Sequence, residues 1–260
     1  DFCLSRGLGD VYKRQDYEFE TANTEWLSDD GTFYLTREDK RNIRTFPLVY
    51  SLREPAPTVS EYKYELPGDT AVLKQELFIG NVKTGMFKKV DVVKWRGQLL
   101  EVLKVADVQD RVFFIRKKGT RNEFELCSVD AKTGEVKVIL HEVSKPYLNE
   151  ELFSCRVLNG GKDILLWSDR SGWGHYYHYD GDGNLKNVMT SGEWVTGYIN
   201  SIDTLKRKVY LYGYGKDKKV NPFYYMLYEV DIDREGVTPL STEDGQHNVN
   251  FLKSHPRVRY

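Results

Sequence analysis

The stretch Ile164-Leu165-Leu166-Trp167-Ser168-Asp169-Arg170-Ser171-Gly172-Trp173-Gly174-His175-Tyr176-Tyr177-His178-Tyr179-Asp180 decides how the chain folds. An apolar strand passes through a polar turn into a tyrosine-rich strand, and Asp180-Gly181-Asp182-Gly183 then supplies residues that tolerate positive φ and suit a hairpin. Outward in both directions the same grammar repeats. Gly85 follows Leu77-Phe78-Ile79 and Lys83-Thr84, Gly134 follows Cys127-Ser128-Val129-Asp130 and Lys132-Thr133, and Gly236 follows Tyr228-Glu229-Val230-Asp231. With Gly183 these glycines recur about every fifty residues, the period of propeller blades of about four strands each. Val112-Phe113-Phe114-Ile115 and Val209-Tyr210-Leu211-Tyr212 hold the place that Ile164 to Trp167 hold in their own unit. A β-sandwich would not space its turns so evenly.

Composition agrees. The 260 residues are 40% hydrophobic, with 18 Tyr, 12 Phe and 5 Trp, a balance that favours aromatic-rich strands over helices. Lysine and arginine number 38 against 39 acids, so a net charge of −1 gives no broad attraction to nucleic acid or an anionic membrane. No apolar run reaches the roughly 18 residues of a membrane span, and no signal-peptide pattern is visible. The fold class expected is all-β: a partial β-propeller of about four to five four-stranded antiparallel blades. Trp26 to Leu35, with its Asp29-Asp30-Gly31 turn, reads as a hairpin from an earlier blade, ahead of four blades between about residues 60 and 251.

Asp1 to Gln15 shows no apolar period and is similar to translated sequencing-adapter DNA, so it is expected to be non-native, with the propeller in residues 16–260. Asn248-Val249-Asn250-Phe251 reads as the start of a further alternating segment. Cys3, Cys127 and Cys155 lack metal-type spacing; a Cys127–Cys155 bridge stays open, and two buried thiols are the expectation.

The segment from Trp167 to Asp180 resembles a blade motif of the dipeptidyl peptidase IV-like members of the prolyl oligopeptidase family, in which serine, an acid and arginine lead into glycine, an aromatic, histidine and a tyrosine-rich strand. Arg53 to Asp69 is similar to that family's proline-containing crossing before the next blade: Pro55-Ala56-Pro57-Thr58 runs into Tyr62-Lys63-Tyr64-Glu65-Leu66-Pro67-Gly68-Asp69. The likeness extends from about Trp26 to Phe251.

The resemblance implies the propeller portion of a serine exopeptidase that removes di- or tripeptides from peptide N-termini, shaping the substrate chamber and its access. It implies that the piece is an open arc of a larger ring, and that an α/β-hydrolase domain carries the triad downstream of Tyr260. A glutamate pair that holds the substrate amino terminus is implied upstream of Trp26. Peptide substrates, the hydrolase domain and a homodimer of the parent are the implied partners, and the location is periplasmic or extracellular. No cofactor is implied, and the 260 residues alone are expected to be inactive.

The residues themselves fit that division. A nucleophile elbow needs serine flanked two positions away on each side by glycine, and no such motif occurs. His175 and His178, three apart on a strand, point to opposite faces, so one metal cannot easily take both. Asp180, Asp182 and Asn184 match the opening of a calcium loop, but Leu185 and Ser191 stand where glycine and glutamate are needed, and a plain hairpin turn is expected. Glu150 and Glu151 read as surface acids. Lys145, Pro146 and Tyr147, within Lys145-Pro146-Tyr147-Leu148-Asn149, join two blades and are the candidate chamber loop. Two other functions compete: a stand-alone propeller acting as a protein-interaction scaffold, which period and composition equally allow, and a propeller glycosidase or lectin, which needs convergent acids or sugar-stacking aromatics.

Overall fold

The computed structural model describes residues 19–250 apart from 28, 29 and 107. The adapter-like stretch Asp1 to Gln15, Cys3 and Phe251 lie outside the described residues. Among the described residues, eighteen strands and one turn of 3-10 helix, Asn159–Gly161, make up the regular structure, and the strands form four four-stranded sheets and one two-stranded hairpin. The all-β expectation is met by the described residues.

The described residues divide into two compact units, one reaching to residue 104 and taking in 108–141, the other beginning at 142. The first unit holds two four-stranded sheets. One has the order β1 (Phe19–Trp26), β2 (Thr32–Asp39), β5 (Lys74–Asn81), β6 (Met86–Val90). The other runs in chain order through β7 (Leu99–Leu103), β8 (Arg111–Lys117), β9 (Glu123–Asp130) and β10 (Val136–Val143), the last two residues of β10 being assigned to the second unit. Leu77, Ile79, Val112, Phe114, Cys127 and Val129 are buried together in this unit's core. Burial of each large apolar side chain contributes on the order of 1.5–3 kcal/mol, which is why alternating apolar positions fix the sheet faces.

The second unit repeats the plan. Its first sheet is the meander β11 (Cys155–Leu158), β12 (Asp163–Ser168), β13 (His175–Asp180), β14 (Leu185–Val188). Its second is the meander β15 (Val195–Asp203), β16 (Lys208–Tyr214), β17 (Tyr225–Asp231), β18 (Val237–Pro239). Leu165, Trp167 and Tyr176 of the first sheet pack with Val209, Leu211, Met226, Tyr228 and Val230 of the second.

The repeat glycines fall where the sequence puts them, in the connections between the third and fourth strands of each sheet, all with positive φ: 71° at Gly85, 72° at Gly134, 88° at Gly183 and 135° at Gly236. At Gly134 the requirement is local. The Asp130 carboxylate accepts from the amides of Lys132 (2.9 Å) and Thr133 (2.7 Å), and the Gly134 amide donates to the Asp130 carbonyl at 2.8 Å, closing a turn that needs φ > 0 at its end.

The Trp26 to Leu35 hairpin is not the remnant of an earlier blade: β2 pairs with β5 from Thr32↔Asn81 to Asp39↔Lys74, so β1 and β2 are half of the first described blade. That blade therefore begins near residue 19 rather than 60. Between β2 and β5 the chain leaves the sheet and forms its own hairpin, β3 (Thr45–Tyr50) with β4 (Thr58–Lys63). Pro55 and Pro57 lie in its tip and lead back into the same blade, not into the next one. The hairpin is apolar yet exposed, with Leu52 at 96% and Val49 at 60%. Asn248 to Asn250 form no strand; the Val249 amide donates to the Tyr212 hydroxyl at 2.9 Å.

Cys127 and Cys155 are buried thiols, not joined by a disulfide. Burial pushes the Cys127 thiol up to about 11, so its reactive thiolate is scarce near neutrality. Cys127 is expected to resist maleimide at pH 7 in the native protein and to react in urea, read by peptide mass mapping; native labelling at an unfolded-state rate would contradict its burial.

Candidate functional site

The candidate loop leaves β10 and enters β11, as the sequence reading requires. Its two ends are held and its crest is exposed. Ser144 and Leu148 are buried, while Lys145, Pro146 and Tyr147 are exposed, Tyr147 at 64%. The Lys145–Pro146 peptide is cis. Beyond the crest, Asn149 accepts from Leu152 through its side chain (3.2 Å) and from Phe153 through its carbonyl (2.9 Å), and the Ser154 carbonyl accepts from the Trp167 amide at 2.8 Å.

The near end is tied through Glu142. One carboxylate oxygen accepts from the Ser168 hydroxyl and the other is paired with Arg170. Arg170 is itself fixed: its Nε donates to the Ser168 Oγ at 3.0 Å, its amide donates to the same oxygen at 3.2 Å, and its guanidinium lies 4.4 Å from the Tyr177 ring centroid and 5.8 Å from that of Tyr179. The Ser168-Asp169-Arg170 motif thus builds a polar clasp on an aromatic platform. Glu142 was not legible as its partner, because nothing local in the sequence couples positions twenty-six residues apart.

His175 and His178 do diverge. The ring nitrogens of His175 lie 3.1 Å from Thr190 Oγ1 and 2.9 Å from the Gly192 carbonyl, and burial lowers its pKa. Those of His178 lie 2.7 Å from Asp163 Oδ1 and 3.1 Å from Asn187 Oδ1. The Asp163 carboxylate also accepts two bonds from Arg207, at 3.0 and 3.2 Å. Sequence reading missed this Asp163–His178–Arg207 cluster, whose members come from β12, β13 and the turn before β16. Asp180 closes a hairpin turn, its carboxylate accepting from the Asp182 and Asn184 amides, each at 2.9 Å. Among the described residues no group of three or more His, Cys, Asp or Glu side chains could hold a metal ion, and no helix is long and apolar enough to cross a membrane. Glu150 and Glu151 lie on the surface.

Four-stranded antiparallel sheets that repeat along the chain, joined fourth strand to first, define a β-propeller piece. A solved dipeptidyl peptidase 4 of Porphyromonas gingivalis shares this fold, with a TM-score of 0.74 and 20% identity over 87% of this chain and 31% of that one. The family model for the dipeptidyl peptidase IV N-terminal region matches residues 15–257, and the chain belongs to that family. Curated relatives include the "Probable dipeptidyl peptidase 4" of Trichophyton verrucosum, 28% identical over 229 residues, and the dipeptidyl peptidase 4 of Trichophyton rubrum, also 28% identical over 229. Each match covers 83% of this chain but only 30% and 29% of the relative, so the chain spans less than a third of their length.

Proposed function

We propose that this chain is the propeller portion of a serine exopeptidase that removes di- or tripeptides from peptide N-termini, and that it shapes the substrate chamber and its access. The observation that carries the reading is the family match over residues 15–257. The names of the curated relatives support a dipeptidyl peptidase parent. The lack of a Gly-x-Ser-x-Gly elbow in the 260 residues fits a triad housed in a following α/β-hydrolase domain. In this reading Lys145, Pro146 and Tyr147 line the chamber, the parent acts in the periplasm or outside the cell, and it pairs as a homodimer.

The test uses the complete gene product. It is expected to cleave dipeptidyl chromogenic substrates with a free amino end and to be labelled by a fluorophosphonate, which requires an activated serine hydroxyl. The 260-residue chain is expected to do neither. Turnover by this chain alone, abolished by changing one of its own serines, would overturn the division of labour. A full-length protein that neither labels nor cleaves would leave the interaction-scaffold reading in its place.

A further inference from the structure

We propose that Arg170, acting through Glu142, is a positioning residue for the Lys145–Asn149 loop, and so for whatever the loop's crest contacts. This rests on the reading of that loop as chamber lining. Glu142 precedes the crest by only three residues, and its carboxylate is 11% exposed. Both its oxygens are engaged, one by Ser168 and one by Arg170. The clasp is preorganised from behind. Ser168 is 2% exposed, and its single oxygen receives both the amide and the Nε of Arg170 while its proton goes to Glu142. Tyr177 supplies a flat face on which a planar guanidinium stacks while its fork still reaches Glu142 and Ser168, a combination that the compact ammonium of lysine does not match. The far end of the loop is set independently by buried Leu148 and the Asn149 carbonyl and side chain.

With both ends fixed, the crest is short and strongly confined. Loss of the near anchor leaves Leu148 and Asn149 in place but lets residues 144–147 sample other arrangements. The blade strands β12 and β13 keep their own ladder, from Asp163↔Asp180 to Ser168↔His175. The motif from Ser168 to Arg170 therefore acts on the loop rather than on the sheet that carries it.

The experiment is done in the full-length protein with R170K, E142Q and Y147A. Chymotryptic cleavage after the exposed Tyr147 is expected to speed up about tenfold in R170K and E142Q, with hydrogen exchange in β12 and β13 peptides unchanged, because a local opening costs less without the clasp. On a dipeptidyl substrate, KM is expected to rise about fivefold in both with kcat held within about twofold, the pattern of lost binding rather than lost chemistry. Unchanged cleavage after Tyr147, or faster exchange over β12 and β13 in both variants, would overturn the positioning role. A rise in KM for Y147A with none for R170K or E142Q would also overturn it while leaving the chamber reading intact. No change in KM for Y147A would instead remove the chamber reading, and with it the ground for this proposal.

Discussion

D163N is expected to destabilise the protein by about 3 kcal/mol at pH 7, the range seen when one partner of a buried ion pair is removed. Asp163 is 5% exposed and is bonded to Asn159, His178 and Arg207 at once. Asparagine keeps the shape and removes the charge that faces the guanidinium. Burial alone pushes the Asp163 carboxyl up, but the bonds from Arg207, Asn159 and His178 together outweigh it and hold the group well below the usual carboxylate range. The sign follows from that depression: the carboxylate's contribution is complete above the unfolded-state value of about 3.9 and is lost as pH falls toward the folded-state value. Urea unfolding at pH 7 and pH 3 measures both. The gap between wild type and D163N is expected to narrow at pH 3 by about 1 kcal/mol. A gap that widens in acid sinks the assignment.

G174A is expected to cost about 3 kcal/mol, at the upper end of overpacking penalties. A Cβ on Gly174 would overlap Trp167 Cζ2 and meet Cε2 at 2.8 Å. Neither partner can withdraw easily. The Trp167 ring is 3% exposed and its Nε1 donates to the Thr196 carbonyl at 2.8 Å, while the Gly174 carbonyl accepts from the amide (2.9 Å) and hydroxyl (3.0 Å) of the same threonine. W167L costs stability on its own by emptying space, but with G174A it relieves the clash. The double variant is expected to lose at least 1 kcal/mol less than the sum of the single losses, roughly the coupling seen for residues in contact. Additive losses, or G174A within about 0.5 kcal/mol of wild type, would show that the backbone yields at little cost.

The turns at Gly85, Gly134, Gly183 and Gly236 were legible because their requirement is local: an Asp or Asn, a glycine with positive φ, and a flanking strand pattern. The central strands were legible for the same reason, since Ile164 to Trp167 and Val209 to Tyr212 carry their own apolar signal. Pairing partners are another matter. Nothing in Thr32 to Leu35 states that its neighbour is Phe78 rather than the next strand in the chain, so the insertion of β3 and β4 was invisible. The candidate loop was legible as a connection between two blades. The clasp of Glu142 with Ser168 and Arg170 and the Asp163 cluster were not, because each joins side chains brought together only by the completed sheets.

The hairpin inserted between β2 and β5 also changes the chain entropy of closing the first blade. In the second unit, β12 meets β13 across the short turn from Asp169 to Gly174, whereas β2 meets β5 only after the chain has travelled from Lys40 to Leu73. Closing the longer span costs roughly 1.5 kcal/mol more in chain entropy, since each doubling of loop length adds about 0.6 kcal/mol. Pairing of β3 with β4 brings Thr45 against Lys63 and removes the excursion between them from the span. The exposed hairpin is therefore an internal short-circuit: once paired, it roughly halves the span that β2 and β5 must close, which lowers the closure cost by about 0.6 kcal/mol relative to a slack connection.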